Sequence, residues 1–203
     1  MFRNGACAFA EAADRGASVA RLLWDHCLDP MVIRVSAQSV SRDDPEAWDI
    51  GSLGRPVTIF KDALGEEVLI GTARTAVRLS IAKGTLLDGP VRLIYQLSGR
   101  HQLSRRLLAL RQLEALMRLG RVPRRLATPA VNSNRSVLLV RTLDAMAIHN
   151  SARSIAAALF GQEEVDAKWM HESDYLRMQT RRLISRARYL ANGGYISLLH
   201  GSS

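Results

Sequence analysis

The spacing of apolar residues changes near Gly99, and this change constrains the fold more than any other feature of the chain. Between Pro56 and Gly99, apolar and polar residues alternate with a period of two, which is typical of half-buried strands. After Gly99, apolar residues recur at spacings of three and four, as on one face of a helix. The sequence therefore predicts an α+β fold, with an N-terminal β module over residues 1–98 and a helical, helix-turn-helix-like module over residues 99–203.

Four short alternating segments predict the strands of an antiparallel β-meander, because only short turns separate them. They begin at Val57, Val68, Val77 and Val91. Upstream, the sequence predicts a further strand over residues 31–36 and a helix around residues 17–26. A small meander leaves unpaired backbone groups at its edges, so we expect this module to support a homo-oligomer.

The helical module begins with a leucine-rich stripe over residues 103–117, and Gly120 and Pro123 are typical of a helix end. A connection follows over residues 121–134. Further helices are predicted over residues 136–148, 152–160 and 174–191, with a short helical turn between residues 163 and 170. The last of them should end at Asn192-Gly193-Gly194, where a glycine can take the left-handed conformation of a helix C-cap.

Positive charge is concentrated in the second half of the chain. The net charge is +9, and residues 1–99 contain 11 Lys or Arg against 12 Asp or Glu, whereas residues 100–203 contain 17 against 7. Nearly all of the cations are arginines, whose planar guanidinium suits phosphates and guanine edges. This asymmetry indicates that one module binds a polyanion, and nucleic acid is the first to consider.

The closing helix, residues 174–191, is the strongest candidate for that contact. Its one acid, Asp174, lies at its start, and its apolar stripe includes Leu176 and Leu183. Its arginines flank this stripe on both sides: Arg177, Arg181, Arg182, Arg186 and Arg188. Such a helix can lie in the major groove of double-stranded DNA, although a solvated surface helix would show the same pattern.

The segment before it has the pattern of the first helix of a helix-turn-helix, with Ser151 as a polar N-cap, an alanine-rich body and Gly161 at its end. Glu163, Glu164 and Asp166 follow, and they would repel phosphate. We therefore expect the later helix to contact bases. Arg153, on the helix that Ser151 caps, is predicted to contact the DNA backbone.

These residues resemble the RovC-type DNA-binding domain, a family of proteobacterial transcription regulators. The resemblance rests on the order and spacing of short motifs: residues 155–161, Trp169, Arg181-Arg182-Leu183, Gly193-Gly194-Tyr195 and Leu198-Leu199. It extends upstream through residues 107–110 and 89–93, so it covers about residues 30–200. It implies a bacterial transcription regulator, associated with type VI secretion genes or mobile-element transfer, whose C-terminal helical domain contacts DNA. It also implies assembly into a homo-oligomer, and some relatives act instead as antiactivators.

Other classes of protein are less consistent with the sequence. Asp25, His26 and Cys27 are adjacent, and adjacent residues on a helix point in different directions, so we expect no enzyme activity from them. The histidines and cysteines have no metal-ligand spacing, no phosphate-binding glycine loop is present, and we expect no metal or cofactor. No apolar stretch reaches the length of a membrane span, and with two cysteines and no signal peptide pattern we expect a cytoplasmic protein.

Two functions remain. The chain is a DNA-binding transcription regulator, or it is an antiactivator that sequesters another transcription regulator. In the second case, the apolar helix over residues 103–119 would present a groove to its protein partner. Both functions are compatible with one fold.

Overall fold

The computed structural model describes residues 6–9, 22–63, 65–72, 75–128, 133–169 and 174–200. The chain divides into two compact units, Met1–Pro129 and Ala130–Ser203. The first contains a β-sheet and one long helix, and the second is helical, so the α+β prediction is confirmed. Among the described helices, none combines the length and the apolar composition that crossing a bilayer requires.

The strands of the first unit form two sheets. They are β1 (Ala6–Phe9), β2 (Leu22–Trp24), β3 (Val32–Ser39), β4 (Val57–Asp62), β5 (Gly65–Ile70), β6 (Val77–Lys83) and β7 (Val91–Tyr95). The first two pair with each other, and the others form a sheet in the order β4-β5-β6-β3-β7. All pairs in that sheet are antiparallel except β3 with β6.

Two predictions about this unit need correction. The meander is right for β4, β5 and β6, but β3 lies between β6 and β7, so the last two strands are not neighbours. The helix expected over residues 17–26 is wrong where the structure describes it, because Leu22–Trp24 is a strand. Residues 10–21 lie outside the described residues.

Helix α1 (Leu103–Leu119) packs on the sheet through its apolar stripe. Ala109, Leu113 and Leu116 are at most 4% exposed, and they belong to one core with sheet residues such as Val35 and Leu79. Gly120 ends the helix at a φ of 65°, in the left-handed conformation expected of it. The face of α1 that carries these three residues is therefore buried, whereas Leu103 and Leu107 of the predicted stripe are 37% and 44% exposed.

The predicted division at residues 98 and 99 marks the change from strands to helices, whereas the two compact units divide after Pro129. The difference has one cause, since α1 buries its apolar face on the sheet. The first unit therefore contains a helix that the sequence assigned to the helical module.

The second unit contains α2 (Ser133–Ile148), α3 (Ala152–Phe160), α4 (Gln162–Lys168), α5 (Tyr175–Tyr189) and α6 (Tyr195–Leu199). The predicted bounds of α3 are confirmed, and α4 accounts for the predicted short turn. Gly193 has a φ of 99° and lies at the bend between α5 and α6, as predicted. The core joins α2, α3 and α5 through Ala145, Ile155 and Leu183.

Glu66 is a buried carboxylate that holds the turn after β6. Its side chain is 1% exposed, accepts hydrogen bonds from Thr85 Oγ1 and from Leu86 N at 2.9 Å, and lies 3.2 Å from Lys61 Nζ. Burial by itself raises the pKa of this carboxyl, but the hydrogen bonds and Lys61 outweigh it, so the Glu66 pKa lies below its ordinary 4.5.

We predict that Glu66→Gln lowers the free energy of unfolding at pH 7 by about 1–3 kcal/mol, because a charged hydrogen-bond acceptor is removed. A carboxyl whose pKa is lowered by folding stabilises the protein above its ordinary pKa, and this contribution disappears as the pH falls through the folded value. The wild-type and variant unfolding free energies, from urea titrations, should therefore converge below pH 4.5. Glu114→Gln, at an exposed carboxylate, serves as a control. An equal loss of unfolding free energy in the two variants would contradict the stabilising role of the buried Glu66 carboxylate.

Candidate nucleic-acid interface

Helix α5 is fixed to the helical unit by a buried stripe of small and apolar side chains. Leu176, Thr180 and Ala187 are buried, and Leu176 forms a cluster with Ala156 of α3 and Val165 of α4. Thr180 Oγ1 donates a hydrogen bond to the carbonyl oxygen of Leu176 at 2.8 Å, so its hydroxyl is satisfied inside the core. Thr180 is itself fully buried.

The opposite face of α5 is exposed and positively charged. Arg181, Arg182 and Arg188 are exposed and make no ion pair among the residues that the structure describes. Tyr175 and Met178 lie on the exposed face as well, at 72% and 43% exposure. This surface therefore presents free guanidinium groups beside uncharged side chains.

The other two arginines of α5 have partners within the chain. Arg177 NH2 lies 2.5 Å from Asp174 Oδ2, and its Nε is buried without a hydrogen-bond partner among the described residues. The Arg186 guanidinium lies 5.1 Å from the centre of the Tyr189 ring, a cation–π contact. These contacts hold Arg177 and Arg186 in place along the flanks of the exposed face.

An open groove follows the C-terminal half of this face, lined by Arg181, Ile184, Ser185, Arg188, Tyr189 and Asn192. Tyr189 also packs tightly on Gly194, since a Cβ on that glycine would lie 2.3 Å from Tyr189 Cε1. Sequence reasoning missed Asn192 as a groove residue. It lies beyond the end of the arginine pattern but four residues after Arg188, a spacing that places two helical residues on one face and that could have identified it.

Arg153 and Ser151 lie at the start of α3, and both have local partners. Ser151 Oγ accepts a hydrogen bond from Ser154 N at 3.1 Å, which confirms the predicted N-cap. Arg153 NH2 lies 2.8 Å from Asp166 Oδ1 of α4, and both side chains are about half exposed. Hydrogen bonds from Gln162 and from Arg153 lower the pKa of Asp166, so this carboxylate stays charged.

Helix α4 is acidic at its start, as the sequence indicates. Glu163 and Glu164 lie in its first turn, where they complement the helix dipole. Glu164 pairs with Lys168, which is one turn later. This helix offers no surface that would attract phosphate.

The structure brings Asp25, His26 and Cys27 together in a turn after β2, so the expectation that they point apart is wrong. Their ligand atoms lie within 4.8 Å of one another, the one such group in the part of the chain that the structure describes. Burial and then Arg34 lower the pKa of His26, and burial and then Asp25 raise the pKa of the Cys27 thiol. His26 Nε2 lies 2.6 Å from Arg34 NH1, so a guanidinium faces the atom that a metal or a proton would use. This arrangement favours neither a thiolate nor a bound cation.

The chain was also compared with known proteins. The family model of the RovC DNA-binding domain, described as the DNA-binding domain of a type VI secretion transcription factor, matches residues 96–200. The match begins later than the residue 30 expected from the upstream motifs, but it includes α1 to α6. No curated protein matches the chain. Because the matched range covers more than half of the sequence, the chain belongs to the RovC family of transcription-factor DNA-binding domains.

Proposed function

We propose that this protein is a cytoplasmic bacterial transcription regulator of type VI secretion genes that binds double-stranded DNA through the exposed face of α5. The observation that supports this most directly is the exposure of Arg181, Arg182 and Arg188 within a matched DNA-binding domain. No ion pair among the described residues neutralises them. Their charge is therefore available to a polyanion.

The dimensions of α5 suit a groove of B-form DNA. A helix of 15 residues is about 22 Å long, and the major groove, about 12 Å wide, admits a helix. Arginine forks can bind phosphates or the O6 and N7 atoms of guanine. Ser185, which lies between Arg181 and Arg188 in the groove, can add a hydrogen bond to a base edge.

The arrangement of α3, α4 and α5 explains why α5 is the recognition helix in this proposal. In a helix-turn-helix, the second helix enters the major groove. Here the helix directly after α3 is α4, which has two acids in its first turn. We infer that α4 acts as a spacer and that α5 takes the recognition role.

We also propose that the protein is a homo-oligomer assembled through its sheet unit. The outer strands β4 and β7 are sheet edges, and Ile94 and Tyr95 of β7 are about half exposed. Exposed apolar edges favour pairing with another chain. Assembly would join several α5 surfaces, which raises the effective affinity for one duplex.

We predict that Arg181→Glu with Arg182→Glu abolishes binding to long duplex DNA while leaving the thermal midpoint nearly unchanged, because both side chains are exposed. Binding is measured by gel shift at two salt concentrations. For the milder Arg→Gln changes, the slope of log affinity against log salt should fall by about 0.9 for each phosphate interaction that the change removes.

The matched control compares two single variants, Arg182→Glu on α5 and Arg141→Glu on α2. Arg141 is also an exposed arginine of the helical unit, so both variants change the net charge equally. Equal losses of affinity for these two variants would show that net charge, not the face of α5, determines binding. A large drop in thermal midpoint for the α5 variants would make these arginines structural. If wild-type protein binds no duplex at low salt, sequestration of another regulator becomes the better proposal.

We predict that Ser151→Ala lowers the free energy of unfolding by about 1 kcal/mol through loss of the N-cap. Ser151→Asp keeps a capping oxygen, and hence the stability, but places a negative charge at the start of α3. If phosphate approaches this helix end, the Asp variant binds DNA more weakly than wild type. Unchanged affinity in a folded Asp variant would remove Ser151 from the interface.

We predict that Asp166→Asn strengthens DNA binding, because it releases Arg153 from its ion pair for a phosphate. Glu163→Gln removes one acid from the same helix without touching Arg153, and so measures the effect of net charge alone. If both variants gain affinity equally in the gel-shift titration, Arg153 makes no DNA contact.

A further inference from the structure

Most of the positive charge of the second half of the chain is not on α5. Residues 100–129 contain eight arginines and a single acid, Glu114, whereas residues 130–203 contain nine cations and six acids. The eight arginines are Arg100, Arg105, Arg106, Arg111, Arg118, Arg121, Arg124 and Arg125. The excess of charge therefore belongs to α1 and the segment after it, within the sheet unit.

The structure separates these arginines into two groups. Arg105 and Arg106 are half-buried, and the Nε of each is buried without a hydrogen-bond partner among the described residues. Arg106 also lines a cavity with Tyr95 and Leu97. These two arginines are part of the packing of the sheet unit and offer little to a large ligand.

The other group faces solvent. Exposed residues recur on α1 at spacings of three and four, opposite the buried stripe: Ser104, Leu107, Arg111, Glu114 and Arg118. Arg121 continues beyond the helix end, and Arg124 and Arg125 are exposed on the 3-10 turn Arg124–Leu126. We call Arg111, Arg118, Arg121, Arg124 and Arg125 the α1 surface.

This surface is nearly free of acids. Glu114 lies on it, and its Oε1 lies 2.6 Å from Arg118 Nε. Among the residues that the structure describes, Arg111, Arg121, Arg124 and Arg125 have no ion-pair partner. Clustered like charges repel one another unless an anion neutralises them.

Stabilisation of a helix end does not explain the cluster. Cations favour a helix C-terminus because they complement its dipole, and the effect is confined to the last turn. That role is already filled, since Arg55 Nε donates a hydrogen bond to the carbonyl oxygen of Gly120 at 2.9 Å. Of the five arginines only Arg118 lies in the last turn, since Arg111 lies two turns before the helix end and Arg121, Arg124 and Arg125 lie beyond Gly120.

We propose that the α1 surface is a second DNA-binding site, which contacts the phosphate backbone of the duplex in addition to the contacts that α5 makes. This inference rests on the proposed function as a DNA-binding regulator. The family match begins at residue 96, so it includes α1 although α1 packs on the sheet. Arg111 and Arg118 are about 10 Å apart along the helix axis, and a duplex offers phosphates continuously over such a distance.

We assign phosphate contacts, not adenine recognition, to this surface. Phosphate contacts position a protein on DNA, whereas base contacts select the sequence. Gln112, the one amide side chain within α1, is buried and donates to the carbonyl oxygen of Leu126. The α1 surface thus lacks the amide groups that read adenine.

The test uses the full chain with Arg111→Gln and Arg124→Gln together, and measures affinity for a long duplex from 50 to 200 mM salt. Removing two phosphate interactions should reduce the salt slope by about 1.8, so the weakening between 50 and 200 mM salt should be about tenfold smaller than in wild type. The control is Arg42→Gln with Lys83→Gln, which removes two exposed cations elsewhere in the sheet unit. Arg111→Lys with Arg124→Lys keeps the charge and should stay close to wild type.

The outcomes separate the two proposals. If the Arg111→Gln, Arg124→Gln variant has the same affinity and salt slope as the Arg42→Gln, Lys83→Gln control, this inference is overturned and the role of α5 stands. If the Arg111→Gln, Arg124→Gln variant binds DNA more weakly while the Arg181→Glu, Arg182→Glu variant binds as wild type does, the α1 surface is supported as a DNA-binding site and the proposed role of α5 fails. If poly-glutamate of equal charge displaces the duplex completely, the surface prefers acidic protein and the DNA assignment is overturned. If wild type binds no duplex, both proposals fail.

Discussion

The arginine face of α5 depends on the close contact of α5 with α3 and α4. Ala156, Thr180 and Ala187 have no exposed surface, and such small side chains let helices approach closely. This contact fixes the rotation of α5 about its axis. Successive residues of a helix are 100° apart, so a rotation by one position would move an arginine toward the core. The desolvation of an unpaired guanidinium opposes that rotation.

Local pattern was enough to predict the helices after Gly99, because each is defined by contacts between residues three or four apart, but it wrongly predicted a helix where Leu22–Trp24 is a strand. The bounds of α3 and the end of α1 at Gly120 follow from cap residues and apolar spacing. Strand neighbours depend on pairing between distant segments, which the pattern does not encode. The position of β3 between β6 and β7 therefore could not be read from the sequence, and neither could the packing of α1 on the sheet.

The candidate DNA-binding site also combines features that local pattern predicts with features that depend on contacts between distant segments. The charge of α5 and the cap at Ser151 follow from residue type and position, and the Arg177–Asp174 pair follows from a spacing of three. The pair between Arg153 and Asp166 joins residues that are 13 positions apart on two helices, and it depends on how α3 and α4 pack. Similarly, sequence alone could not show that Arg105 and Arg106 are half-buried while Arg111 faces solvent. Charge counts thus indicated the class of partner, and packing determined which arginines are accessible.

The central place of β3 has a consequence for how the sheet forms. On one side β3 pairs with β6, and on the other Val35 pairs with Tyr95 of β7. During synthesis β3 leaves the ribosome long before either neighbour exists, so its backbone hydrogen bonds wait until much of the first unit has been made. Such nonlocal pairing slows folding and leaves an apolar strand uncovered in the meantime. The nascent sheet is therefore most vulnerable to aggregation until α1 emerges and covers the side of the sheet to which Val35 belongs.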